Sequence, residues 1–374
     1  MSISFLRPAF RWSLVFAALI STAAAQGDGP RRTDDGKFTI EVEVPRTGVV
    51  SQDMTGTCWS FGTTSFLESE ATRITGKQVD LSEMYLVPYT FLEKARAYVE
   101  KKGKNTFGQG GLAHDVVEMT RRYGIVPAES YSGLREGQKM HNHGEMEGLL
   151  KSMADQIAKA RRASKRWEDA FIEVAQTYMG HLPEKITVDG KEMTPKEYAD
   201  NYLQLPYDDY VEVMSFATEP FDTAVELKVP DNWMHDGRYW NVASAEMMAA
   251  LDHALRNGFS VAVDMDVSED GFKANAGMAS LTAELEADGA ITDAMRKEAF
   301  ENGKTTDDHL MHIVGIARDD KGGVWYITKN SWGSKVGPYK GYVMMSRGYV
   351  HLKMLSFMVS KKGLPTELVQ KFSK

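Results

Sequence analysis

The chain has 374 residues, 43% of them hydrophobic and 26% charged, an ordinary globular composition long enough for one large domain with insertions or for two lobes. A formal net charge of −8 without any long basic run argues against nucleic acid or an anionic membrane as a partner. The single cysteine, Cys58, excludes an internal disulfide.

Arg7 and Arg11 precede an apolar run from Trp12 to Ile20, and small residues end at Ala23-Ala24-Ala25. This is the pattern of a secretory signal peptide over residues 1–25, too short to span a bilayer comfortably. It predicts a periplasmic or secreted chain beginning near Gln26, with no stable membrane association after cleavage. Residues 26–37, rich in Gly, Asp and Arg, read as a flexible segment.

Phe38 to Val44 alternates as a strand and is stopped by Pro45. A polar loop over 51–57 leads into a helix whose apolar positions run from Trp59 to Ile74, closed by Gly76. Leu81 to Lys101 reads as a helix with Ser82 as N-cap and Pro88 as an irregularity. Gly108-Gln109-Gly110-Gly111 opens a helix that runs through Tyr123 to Gly124. Residues 145–180 are strongly helical within an expected helical insertion at about 137–235. A hairpin turns at Asp189-Gly190, and Ser244 to Asn257 is a further helix. Strands follow at Phe259–Met265, His309–Ala317, Val324–Lys329 and Gly341–Ser346. Helices first and strands last predict an α+β fold.

A thiol nucleophile must become a thiolate, which a helix N-terminus and a histidine partner both favour. Cys58 stands at the predicted start of a helix after a Gly-containing loop. Its own N–H and the side chain of Gln52, six positions earlier, are candidate oxyanion donors. Asn330, at the end of a predicted strand, is placed to orient a histidine.

Gln52 with Cys58-Trp59-Ser60-Phe61, and Asn330-Ser331-Trp332-Gly333 followed by Gly341-Tyr342, resemble the two signature motifs of papain-like cysteine peptidases. Leu81-Ser82-Glu83-Met84-Tyr85-Leu86, Tyr123-Gly124-Ile125-Val126-Pro127 and Thr194-Pro195-Lys196-Glu197-Tyr198 are similar to segments of the bleomycin hydrolase and aminopeptidase C branch. The resemblance runs from Phe38 to Phe372. It implies a two-lobe fold over 38–372, a helical lobe followed by an antiparallel β lobe, and peptide hydrolysis without a cofactor or metal. Transglutaminase-like acyl transferases also use Cys, His and a polar third group, but are not expected to carry Gln52 together with the Asn-Ser-Trp-Gly motif. A non-catalytic binding protein that keeps the fold would be signalled by loss of Cys, His or Asn, and none is lost.

Two histidines compete as the base. His309, followed by Leu310-Met311 and by Gly315 six residues on, fits the family pattern; His312 does not. Their odd spacing puts them on opposite faces of one strand. His309 is therefore assigned, and His312 is read as a packed histidine. The resemblance also implies that Gly110 and Gly111 bind the substrate backbone and that Trp332 shields the Asn330–His309 bond. His141-Asn142-His143 reads as a solvated loop, because no further metal ligand lies at a recognisable spacing. In the relatives a C-terminal arm enters the cleft. Here the sequence stops at Lys374 after Lys361-Lys362-Gly363-Leu364-Pro365, which gives an expectation of endopeptidase or mixed cleavage. The partner is a peptide or protein substrate, and a homo-oligomer is compatible with this reading.

Overall fold

The computed structural model describes residues 31–373; the expected signal peptide and residues 26–30 lie outside the described residues. Residues 31–37, expected to be loose, fold back instead as a turn. Thr33 N–H donates to Phe38 O (2.9 Å), Ile40 N–H donates to Arg31 O (2.8 Å), and Gly36 supplies the positive φ of 69°. Strand β1 is Phe38–Glu43.

The helical half follows. Helix α1 is Cys58–Thr75, and Gly76 closes it in the left-handed region at φ 71°. Helix α2, Val87–Glu100, starts later than the sequence predicts. Pro88 falls in its first turn, where a missing N–H breaks no helical bond. The residues before it form a turn in which Tyr85 N–H donates to Ser82 Oγ at 3.1 Å. Helix α3 is Ala113–Tyr123. The long helical stretch resolves into two helices, α4 (Gly144–Lys159) and α5 (Arg166–Met179), broken where the exposed Arg161-Arg162-Ala163-Ser164-Lys165 offers no apolar stripe. Met146, Leu150 and Ala154 of α4 are buried at intervals of four, as are Phe171, Ala175 and Met179 of α5, so each helix turns one face inward.

The hairpin of β2 (Ile186–Val188) and β3 (Lys191–Met193) turns at Asp189 and Gly190, both at positive φ (51° and 74°), as a two-residue hairpin turn demands. The short α6, Pro195–Glu197, carries a capping box between Thr194 and Glu197. The expected helical insertion thus stops being helical well before 235. Strands β4 (Tyr210–Met214) and β5 (Thr223–Val225) lie inside it and belong to the main sheet.

The rest of the sheet is β6 (Tyr239–Asn241), then helix α7 (Ser244–Arg256), β7 (Val261–Met265), β8 (Phe272–Lys273) and β9 (Met278–Ala279). Helix α8 (Asp293–Glu301), β10 (His309–Asp319), β11 (Val324–Lys329) and β12 (Tyr342–Ser346) follow. Helix α9 (Arg347–Lys353), β13 (Met354–Ser360) and α10 (Thr366–Phe372) complete the chain. The strands run β5-β6-β4-β13-β7-β10-β11-β12-β9-β8, with β1 paired to β10.

Two large apolar cores result, with two smaller clusters beside them. One, around Phe66, Leu81, Phe91 and Phe171, holds the helices together. The other, around Met247, Val263, Met311 and Phe357, joins α7 to the sheet. Strand β10 is shared: Leu310 belongs to the first core and Met311 to the second, as period-two alternation requires. The candidate site lies where β10 begins. No helix among the described residues is long and apolar enough to cross a membrane.

Candidate active site

Cys58 is the first residue of α1, and no side chain caps that helix end. The Cys58 N–H makes no hydrogen bond to a described residue, so it stands free at the positive end of the helix. The preceding loop is fixed through the glycine-rich segment: Gly56 N–H donates to Gln109 Oε1 and Trp59 Nε1–H to Gln109 O, both at 2.8 Å. One turn into α1 lies Gly62. A Cβ there would stand 3.0 Å from Leu310 O and 2.7 Å from Leu310 Cδ2. The missing side chain therefore lets α1 press onto β10 and brings the helix start to the residues around His309. A glycine in a buried helix costs about 1 kcal/mol relative to alanine, and that cost was the overlooked signal in the sequence.

On β10, His309 Nε2 lies 2.7 Å from Asn330 Oδ1. The same oxygen accepts from the Ser331 N–H at 2.7 Å, which identifies it as the amide's acceptor. Nε2 must then carry the proton, leaving Nδ1 as the basic nitrogen. Trp332 covers the imidazole, with ring centroids 4.9 Å apart, and is itself 36% exposed. His312 points to the other face, where its Nδ1 meets Ser65 Oγ at 2.8 Å inside a buried network with Lys329.

Gln52 is buried, and both ends of its amide are engaged. Nε2 donates to Thr55 O at 2.7 Å, and Oε1 accepts from Ser331 Oγ at 2.6 Å. An amide nitrogen carries two hydrogens, so one remains to donate. Ser331 therefore links Gln52 to Asn330. The sequence motif contains it, but its role becomes visible only with the fold. The two segments are also joined by Gln52 N–H to Ser331 O (2.9 Å) and Gly333 N–H to Val50 O (3.2 Å).

Burial dominates the proton affinities. It pushes the Cys58 thiol up to about 12, against the Leu310 backbone hydrogen bond, while the carboxylates of Asp307, Asp231 and Asp264 push the same way as burial. Burial pushes His309 down to about 4, against the hydrogen bond to Asn330. Burial thus works against the charged form of each group taken singly. A dry surrounding penalises either charge alone, whereas moving a proton from Sγ to the imidazole creates two opposite charges that attract strongly at low dielectric.

Gly110 and Gly111 flank the site differently. A Cβ on Gly110 would stand 2.6 Å from the carboxyl carbon of Asp231, so the space there is taken by that side chain. Gly111 packs against Trp59, and its backbone N–H and C=O make no hydrogen bond to a described residue. The His141–His143 loop is not solvated as expected. His143 is buried, and the loop is pinned by His141 N–H to Asp53 Oδ2 (3.0 Å) and Met54 N–H to His141 O (3.1 Å).

Comparison with known proteins matches residues 40–204 to the family described as papain family cysteine protease and residues 178–374 to the Peptidase C1-like family. Aminopeptidase G of Lactobacillus delbrueckii subsp. lactis is 23% identical, the match covering 88% of this chain and 85% of the relative. Aminopeptidase C of Listeria innocua serovar 6a is 24% identical, covering 96% and 91%. Among solved structures, PepW from Lactobacillus rhamnosis HN001 superposes with a TM-score of 0.72 at 21% identity over 89% of this chain and 84% of that one, a likeness of fold.

Proposed function

The chain belongs to the Peptidase C1-like family, a cysteine-type peptidase with a papain-like α+β fold, and from that premise we propose that Cys58, His309 and Asn330 cleave peptide bonds through an acyl-enzyme. The observation that carries the proposal is the His309 Nε2–Asn330 Oδ1 contact of 2.7 Å. It fixes the imidazole tautomer with Nδ1 free to act as base, at the strand end against which the Cys58 helix start is pressed.

In the proposed reaction, Cys58 Sγ attacks the substrate carbonyl carbon as His309 Nδ1 takes the thiol proton. Asn330 Oδ1 keeps its bond to Nε2–H and steadies the imidazolium. The negative charge developing on the carbonyl oxygen meets the free Cys58 N–H and the remaining Gln52 Nε2–H. The imidazolium then protonates the leaving amine. A water, deprotonated by His309, hydrolyses the thioester and restores the thiol. All of this uses the chain's own groups and needs no cofactor.

Gly111 supports a substrate lying extended along the cleft, since its free N–H and C=O can pair with a peptide backbone. Trp332 keeps water off the His309–Asn330 bond. Export ahead of residue 26 is part of the same proposal and rests on the sequence pattern of residues 1–25.

The test is mass spectrometry after treatment with an epoxysuccinyl inhibitor, together with turnover of a fluorogenic peptide by Cys58→Ala, His309→Ala and His312→Ala. Stoichiometric labelling at Cys58 is expected. The first two variants should be inactive and the third should keep most activity if folded. An active His309→Ala beside a folded, inactive His312→Ala would reverse the assignment of the base.

A further inference from the structure

The proposed reaction makes no use of His114, a buried histidine in the first turn of α3. Oxygens from two strands converge on its Nδ1. Glu212 Oε2, from β4, lies at 3.0 Å, and Tyr239 Oη, from the start of β6, at 3.2 Å. Asp236 reaches the same place from the loop between β5 and β6. One of its carboxylate oxygens, one of Glu212 and a ring nitrogen of His114 all lie within 4.8 Å of one another. The Asp236 loop is held by the buried Asn232, whose Oδ1 accepts from Asp236 N–H at 2.9 Å and whose Nδ2 donates to Asp236 O at 3.1 Å.

The far side of the ring is fixed. His114 Nε2 faces Asp115 Oδ1 at 3.5 Å, and neither atom has another partner among the described residues. Asp115 is locked in turn, its Oδ2 accepting from Trp233 Nε1–H at 2.8 Å and from Leu112 N–H at 3.4 Å. A carboxylate behind one ring nitrogen draws the proton there and turns the lone pair of the other outward, which is how metal-binding histidines are oriented. Nδ1 then offers a lone pair to a carboxylate that cannot donate to it. Doubly protonated, the ring brings one positive charge to two buried carboxylates, Asp115 and Glu212. A divalent ion on Nδ1 brings two and leaves Nε2–H for Asp115. Two ligands of one tetrahedral zinc stand about 3.3–3.5 Å apart, so the atoms around Nδ1 need part by only a few tenths of an ångström. A cavity of about 280 Å³, lined in part by His114, Glu212 and Asp236, gives an ion a way in. Arg238 holds both oxygens of Asp236, but its side chain is exposed and also donates to Glu118 at 3.0 Å, so it can yield one oxygen and keep a partner.

We propose that His114 Nδ1, Glu212 and Asp236 form a structural site for a zinc ion, with Tyr239 beside it and Asp115 orienting the imidazole. One imidazole with two carboxylates is a donor set that suits zinc. Any proton on Nδ1 leaves to solvent as the ion binds. The ion ties the first turn of α3 to β4 and to the loop before β6, and so braces the helix that follows the Gly110-Gly111 segment. It takes no part in peptide cleavage, and the site stands whether or not Cys58 is the nucleophile.

The test is calorimetric titration of zinc chloride into the full chain stripped of metal with EDTA, carrying Cys58→Ala so that the thiol cannot hold the ion. One zinc per chain is expected, with a melting temperature that rises as free zinc exceeds Kd. Glu212→Gln and Asp236→Asn nearly keep the side-chain shape, and each should weaken binding by about tenfold or more and remove most of the thermal shift. X-ray absorption at the zinc edge, on the chain with all three ligands, needs neither variant to fold. It should report one imidazole among oxygen ligands at about 2.0–2.2 Å. No zinc binding, binding that survives both substitutions, or a shell with two or more imidazoles overturns the site.

Discussion

Replacing Gly62 by alanine tests how the nucleophile is positioned. In a helix interior alanine is favoured over glycine by about 1 kcal/mol. Here the new Cβ would meet Leu310 Cδ2 at 2.7 Å and Leu310 O at 3.0 Å. The side-chain carbon can rotate away. The carbonyl cannot, because Leu310 lies in the β7–β10 pairing opposite Asp264. Helix α1 must then lift from β10 by a few tenths of an ångström, at an overpacking cost of about 1–3 kcal/mol. The gain offsets part or all of that cost, so the net destabilisation should be at most about 2 kcal/mol. Geometry has no such compensation: Cys58 rides on the turn just before Gly62, whereas His309 stays with the sheet. A displacement of about 1 Å can cost about 10²-fold in rate, so a lift of a few tenths should lower kcat on the order of tenfold with KM little changed. Gly62→Val, larger and β-branched, should do worse in both respects. Steady-state kinetics on a fluorogenic peptide, with a melting curve for each variant, reads both quantities. A Gly62→Ala enzyme with native kcat would show that this contact does not position the thiol.

Gln52→Ala should lower kcat by about 10²–10³ with little effect on KM, the usual loss for one oxyanion donor; an unchanged kcat removes Gln52 from that role. Ser331→Ala leaves the Gln52 donor in place but frees its amide to turn, so a smaller loss on the order of tenfold is expected, and Ser331→Thr should restore part of it. With His309 held down to about 4 by burial, the acid limb of kcat/KM on an uncharged substrate should fall near pH 4, well below the ordinary histidine value of 6.5; a limb at 6.5 would mean that the base is solvated. Sequencing the protein from its native host should find an amino terminus at or near Gln26, and an intact Met1 in the cytoplasm would contradict the export reading.

What the sequence made legible was local. The loop before Cys58 and the Asn330-Ser331-Trp332-Gly333 run are contiguous, so their residues and spacing stand in the sequence itself. The assignment of His309 over His312 needed only strand periodicity and a motif, and the structure places the two on opposite faces, one at Asn330 and the other at Ser65. Element types along the chain followed from periodicity. The start of α2 and the break between α4 and α5 did not, because Ser82 caps a turn and the charged run at 161–165 still has helical composition. The insertion was read as helical because β4 and β5 are short strands, and their place in the sheet depends on partners far along the chain, β13 for β4 and β6 for β5. Contacts across the site were equally hidden: nothing in the spacing of residues 62 and 310 announces that helix and strand meet there.

The carboxylates of Asp307, Asp231 and Asp264 bear on how the thiol is activated. Burial and the three acids act in the same direction on Cys58, towards the protonated thiol. The imidazole is equally disinclined to hold a charge. Burial of each group therefore works against an isolated thiolate, which limits oxidation of the lone cysteine. Proton transfer from Sγ to the imidazole would escape that penalty, because the two charges it creates attract each other where neither is well solvated. The low dielectric that disfavours either charge alone is also what would make the ion pair strong, since the same two charges in a solvated groove would attract far more weakly.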